Sequence, residues 1–189
     1  FLHRRSSVLG GAGLGGAGRG KARQGKARQG KDYTMKTCIC SVAFGGWYPK
    51  GLSRLYQSLS AQGYTGGRLF FSGELPPGSP PHYDVPYGFK LHAMRKAFDD
   101  GFDAVVWADA SMFAISRVEP IFKVIEKQGF ILFQGGDNTA AMWTHDACLS
   151  YFRKSRDEAE KIPQVVGGLV GFSTLHACGA AIFEEGFEE

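Results

Sequence analysis

No stretch of this sequence approaches the ~20 consecutive apolar residues that a membrane-crossing helix needs, so no transmembrane segment is expected. Cysteine is scarce. The four present, Cys38, Cys40, Cys148 and Cys178, are too few and wrongly spaced for a disulfide framework or a tetrahedral zinc site. Cys38 and Cys40 alternate within an apolar run, which turns both thiols to one face of a strand. Buried free thiols in a reducing compartment are the expectation, and with them a cytoplasmic location. An excess of positive charge is also missing where it would count. The chain carries 22 Lys/Arg against 18 Asp/Glu, but eight of the basic residues and one acidic residue fall in positions 1–34. Positions 35–189 therefore hold 22 − 8 = 14 basic and 18 − 1 = 17 acidic residues, a net charge of −3. A mildly acidic domain gives no reason to expect a specific nucleic-acid partner.

Large apolar residues are nearly absent from the first 34 positions, which instead hold nine glycines and the repeat Gly-Lys-Ala-Arg-Gln. Such a segment cannot bury enough surface to offset its ordering entropy, so positions 1–34 read as a disordered, basic, Gly-rich tail. Two phosphate-binding look-alikes sit inside it. Gly11-x-Gly13-x-x-Gly16 lacks the preceding strand and following helix that a dinucleotide fingerprint requires. Gly15-x-x-x-x-Gly20-Lys21 continues with Ala22, which has no hydroxyl to offer magnesium.

From Met35 the pattern is that of one α/β domain over positions 35–189, possible truncation at the C-terminal end included in the expectation. Apolar and β-branched runs at 36–44, 68–72, 102–108, 130–133 and 164–172 predict strands. Helical spacing predicts helices over 50–62, from 88 to 100 and over 118–128, with shorter ones at 143–152 and after Ser155. Ser155-x-x-Glu158 is a capping-box signature for the last of these. Five prolines between Glu74 and Pro86 exclude regular structure there. The alternation predicts a doubly wound, mostly parallel sheet.

Chemistry concentrates at one point. The buried run Phe102–Ala108 ends in Asp109-Ala110-Ser111, which delivers a carboxylate to the carboxyl end of a strand, where open α/β sheets bind ligands. Lys90, at the amino-terminal turn of the preceding helix, is placed to meet a phosphate. Trp47 and Tyr48, just beyond the first strand, are candidates either to stack on a base or to cap the core. Asp137, after the fourth strand, is a candidate acceptor-binding residue or base, or the start of an Asx turn. His145 and His176 are open as ligands or as helix caps. The glycines of 164–172 would let a ligand or another backbone come close.

These residues carry a resemblance. A strand of the form apolar-apolar-Trp-x-Asp-x-Ser, preceded by a helix opening in Phe-Lys and followed by a Gly-Gly-x-x-Gly-Phe strand, resembles nucleotide-sugar-dependent glycosyltransferases of the GT-A fold, closest to uncharacterised glycosyltransferase-like proteins of phages and bacteria. The likeness spans roughly Met35–Phe172. It implies a Rossmann-like GT-A domain that binds a nucleotide-sugar donor and transfers the sugar to a glycan or other hydroxyl acceptor. It also implies a divalent cation, Mn²⁺ or Mg²⁺, held by an Asp-x-Asp motif. Asp109 matches the first Asp of that motif, and Ser111 stands where the last is usual. A hydroxyl is a weaker ligand than a carboxylate for such ions. Three readings therefore stand: metal held by Asp109 and Ser111 with the diphosphate and water, Asp109 binding ribose or sugar hydroxyls without metal, or an inactive site. The implied catalytic residues are Asp109 and Asp137, with Trp47, Lys90, Asp109 and Ser111 contacting the donor. The alternative function is a non-catalytic sugar- or nucleotide-binding module, such as a virion-associated one.

Overall fold

The structure is a computed structural model that describes residues 34–186, all within one unit, Asp32–Glu189. The tail expected over 1–34, with both phosphate-loop look-alikes, lies outside the described residues apart from Thr34.

Five strands form one open sheet in the order β2-β1-β3-β5-β4. β1 (Thr37–Ala43) and β2 (Gly67–Ser72) are joined by α1 (Tyr48–Ala61), and they pair in parallel as a strand–helix–strand unit should. α2 (Phe89–Asp99) then leads to β3 (Ala104–Ala108), which pairs in parallel on the other side of β1. The remaining elements in chain order are α3 (Glu119–Gln128), β4 (Phe130–Thr139), α4 (Ala140–Trp143), α5 (Asp146–Tyr151), α6 (Arg156–Ala159), β5 (Pro163–Ser173) and α7 (Ala177–Glu185). β5 inserts between β3 and β4 and runs antiparallel to both. The fold is thus α/β, but the sheet is evenly mixed, with two parallel and two antiparallel pairings, rather than mostly parallel as expected, because three short helices return the chain to the sheet in the reverse direction.

Alternation along the central strands decides what covers each face. Ile39 and Ala43 of β1 and Ala104, Val106 and Ala108 of β3 share one face with Leu52, Leu55 and Leu59 of α1 and Phe122 and Ile125 of α3. Cys38, Cys40 and Val42 with Val105 and Trp107 share the other, against Ala93, Met94 and Ala97 of α2 and Phe183 of α7. All five residues of β3 are buried, so its hydrophobicity is continuous rather than alternating. At the far side, β5 can lie this close only because Gly171 has no side chain. A Cβ there would come within 2.6 Å of Ile125 Cδ1 and 3.0 Å of Val106 Cγ2.

Several local expectations hold. Gly129 ends α3 in the left-handed conformation, φ 89°, and the capping box of Ser155 and Glu158 is complete. His145 and His176 both act as caps, accepting from the backbone N–H groups of Ala147 and Cys178 through Nδ1. Cys38 and Cys40 are buried on one face with sulfurs 4.0 Å apart, whereas Cys148 and Cys178 are exposed, against the expectation that all four thiols would be buried. The Cys38 thiol, hydrogen-bonded to that of Cys40, and burial push Cys40 well above the ordinary thiol range.

Three elements differ from expectation, the first being α4 (Ala140–Trp143), which ends where the helix over 143–152 was expected to begin. β4 does not stop at Phe133 but continues to Thr139 beside the long β5, with register shifts between Leu132 and Gln134 and between Gln134 and Thr139. Pairing with β5 carries the polar segment on as an irregular strand, so Asp137 lies within β4 rather than at a strand tip. α7 was not foreseen. Its residues Ala177–Glu185 are rich in small side chains, and Phe183 anchors it by packing on Phe98 and Phe172.

Candidate functional site at the tip of β3

The strand period places the site. Asp109 follows Trp107 by two residues, so both project to the face covered by α2. The Asp109 backbone is fixed by one more rung to β5, its N–H donating to the Gly168 carbonyl at 2.8 Å. The Met112 N–H then closes a turn onto the Asp109 carbonyl at 2.9 Å. The Trp107 indole Nε1–H donates to Asp109 Oδ1 at 2.7 Å. Lys90, in the first turn of α2, reaches the same oxygen at 2.9 Å and also donates to the Gly167 carbonyl at 2.8 Å. Gly168 makes the arrangement possible, since a Cβ there would stand 3.2 Å from Asp109 Oδ2 and 2.9 Å from Met112 Cε.

Helix α2 is seated by Phe89, which is buried against Phe44 and Trp107 at ring-centroid distances of 5.5 and 5.8 Å. This packing draws the first turn of α2 over the end of β3 and so fixes Lys90. Beside it Tyr87 holds a left-handed backbone, φ 65°, which is uncommon for a bulky residue. Its N–H donates to His82 Nδ1 at 3.0 Å, and the Lys90 ammonium lies 5.2 Å from its ring centroid and 5.3 Å from that of Trp107. A cation in the first turn of a helix is disfavoured by the helix dipole, and Asp109 offsets it. The Lys90 and Asp109 side chains remain 19% and 37% exposed, enough for a ligand to reach both.

A cleft of about 290 Å³ opens over this pair, walled by Phe44, Tyr48, His82, Tyr87 and Phe89 and floored by Trp107, Asp109 and Ser111. Of the residues singled out in the sequence, Lys90, Asp109 and Ser111 come together here. Trp47 does not line this cleft. It is 78% exposed, with Lys50 Nζ 4.5 Å from its ring centroid, and borders a neighbouring cavity, while Tyr48 borders both. Neither aromatic caps the core. Asp137 is exposed on β4 and is not among the residues lining the cleft. Sequence reasoning missed His82, Tyr87 and the structural part played by Trp107. The proline-rich loop gave no periodicity to read, although its aromatic and histidine residues were a signal.

The donor set does not fit a divalent cation as it stands. Asp109 Oδ1 already accepts from an ammonium and an indole N–H, and Ser111 adds only an uncharged oxygen. Among the described residues no cluster of three or more His, Cys, Asp or Glu side chains could hold a metal ion. The positive charge that the cleft offers is that of Lys90.

No known protein-family model matches the chain, and no curated protein sequence matches it. The likeness to glycosyltransferases rests on the residues alone. No helix among the described residues is long and apolar enough to cross a membrane.

Proposed function

We propose that the cleft at the tip of β3 binds a nucleotide-sugar donor, and that the chain is a glycosyltransferase with a doubly wound, GT-A-like domain. The observation that carries this reading is the Lys90–Asp109 pair, set at the carboxyl end of a buried strand in an aromatic-walled cleft. When a glycosidic bond to a nucleoside diphosphate breaks, negative charge develops on the leaving phosphate. A fixed ammonium beside it stabilises that charge without reorganising. The amino terminus of α2 adds the positive end of its helix dipole. Asp109 holds Lys90 in place through Oδ1 and keeps Oδ2 for a ribose or sugar hydroxyl. Tyr48, Tyr87 and Phe44 supply the flat apolar walls that a base or sugar ring needs.

A second reading, a nucleotide- or sugar-binding module without turnover, is favoured by one observation. No carboxylate other than Asp109 lines the cleft, so a base for the acceptor hydroxyl would have to come from elsewhere. Titration calorimetry with a panel of nucleotide sugars, with Mn²⁺ and with EDTA, followed by assay of nucleoside diphosphate release, separates the two. Binding with release supports the transferase, and binding without release supports the module. Absence of binding in every condition would refute both. Asp109→Asn should abolish release while leaving the thermal melt close to that of the wild type.

A further inference from the structure

Two more cavities lie along α1, the first of them adjoining the Lys90 cleft through Tyr48, Ala110 and Ser111. The first, about 370 Å³, opens at the start of the helix between Trp47, Lys50, Arg54 and Ser111. The second, about 360 Å³, lies further along, between Leu55 and Leu59 of α1, Val106 and Ala108 of β3, and the segment Met112–Val118. Arg54 reaches both. Its guanidinium lies 4.8 Å from the ring centroid of Phe113, which lines the apolar cavity, and its Nη2 donates to the Ser111 carbonyl, which borders the basic one. Neither Lys50 nor Arg54 takes part in any ion pair with a carboxylate among the described residues.

We propose that the two cavities form one site for a single-chain amphiphile with a phosphate monoester head, the alkyl chain in the apolar cavity and the head on Arg54 and Lys50. This site uses neither Lys90 nor Asp109, although its basic cavity shares Tyr48 and Ser111 with the proposed donor cleft. An open apolar groove of this size leaves its lining side chains against water and without dispersion partners until an apolar group fills it. The two cations of the basic cavity, neither paired with a carboxylate, match the charge of about −1.5 to −2 on a phosphate monoester near neutral pH, and the planar guanidinium fork suits two phosphate oxygens. The covering segment carries its own apolar side chains outward, Phe113 at 53% and Ile115 at 82% exposure, so the wall of the cavity continues onto the surface where a longer chain would emerge.

Calorimetry with hexyl, octyl and decyl phosphate below their micelle-forming concentrations, alongside inorganic phosphate and decanol, tests the proposal. Binding should strengthen roughly tenfold for each two methylenes added. Arg54→Ala and Lys50→Ala should each weaken decyl phosphate about tenfold or more and leave decanol unchanged. Ala114→Phe, which directs a ring into the apolar cavity, should remove the chain-length dependence without changing nucleoside diphosphate binding at Lys90. If its thermal melt shows that it does not fold, Ile121→Trp takes its place. Decyl phosphate binding no tighter than inorganic phosphate would overturn the apolar part of the site, and decanol binding as tightly as decyl phosphate would overturn its basic part. No binding by any probe would overturn the whole. Lys90→Met should bind decyl phosphate as the wild type does, so failure of this site and failure of the nucleotide-sugar reading are seen separately.

Discussion

Replacing Lys90 by Met removes one charge while keeping most of the side-chain volume, and it tests the site most directly. In the folded protein Lys90 Nζ donates to Asp109 Oδ1 at 2.9 Å and to the Gly167 carbonyl at 2.8 Å. The stability cost is small, because Asp109 is 37% exposed and water screens what is left behind. Partly exposed pairs contribute about 1 kcal/mol or less, which in a domain of this size shifts Tm by about 2–4 °C. Binding should respond far more. A hydrogen bond from an ammonium to a phosphate contributes about 1.5–3 kcal/mol, so Lys90→Met should raise the Kd for a nucleoside diphosphate by roughly 10- to 150-fold. The exposed Asp109 carboxylate, no longer neutralised, pushes the effect toward the upper end. The assay is calorimetry in EDTA with a nucleoside diphosphate, paired with a thermal melt of each protein. Equal Kd values for wild type and Lys90→Met would refute the assignment of Lys90 to the phosphates. A large fall in Tm with little change in Kd would make Lys90 a structural residue instead.

Ser111→Asp should weaken nucleoside diphosphate binding in Mn²⁺ and in EDTA alike, because it sets a second negative charge beside the phosphates. Tightening that appears only with Mn²⁺ would mean that the two carboxylates assemble a metal site after all. Gly51→Ala opposes two rules, since Ala is favoured over Gly in a helix by about 1 kcal/mol, yet a Cβ here would meet the Ala110 carbonyl oxygen at 2.3 Å. The clash should win, lowering Tm by several degrees, and a Tm above wild type would show that α1 does not bear on the β3 tip as described. Glu184, paired with Arg95 through two hydrogen bonds, is held below its ordinary value of 4.5, mainly by that Arg95 side chain. A lowered carboxylate stabilises the fold above its unfolded value and loses that contribution as pH falls through the folded one. Stability curves of wild type and Glu184→Gln should therefore differ at neutral pH and converge in acid below 4.5, and a gap that persists at low pH would exclude the ion pair as its source.

The identity of the strands and long helices was legible in the sequence because each buries one face, and burial writes itself into spacing. Leu52, Leu55 and Leu59 mark α1, the Val-rich run before Asp109 marks β3, and Ser155 with Glu158 marks the start of α6. The position of Asp109 followed from the same logic, since a carboxylate placed straight after a buried strand emerges at that strand's carboxyl end. Lys90 was legible only as a charge at the first turn of an amphipathic helix, without its partner. These are local properties, carried by residues within one or two turns of each other.

What only the tertiary structure decided are the pairings that join distant parts of the chain. The direction of β5 depends on how three short helices turn the chain around, and nothing in its apolar run records that. The extension of β4 through Asp137 came from pairing with β5, which overrode the turn preference of the Gly-Gly-Asp-Asn segment. The Lys90 ammonium and the Trp107 indole meet on one oxygen of Asp109 because Phe89 seats α2 over β3, a contact between side chains that local spacing cannot specify. That meeting leaves Oδ1 accepting from both an ammonium and an indole N–H, so half of the carboxylate's acceptor positions are committed before any ligand arrives.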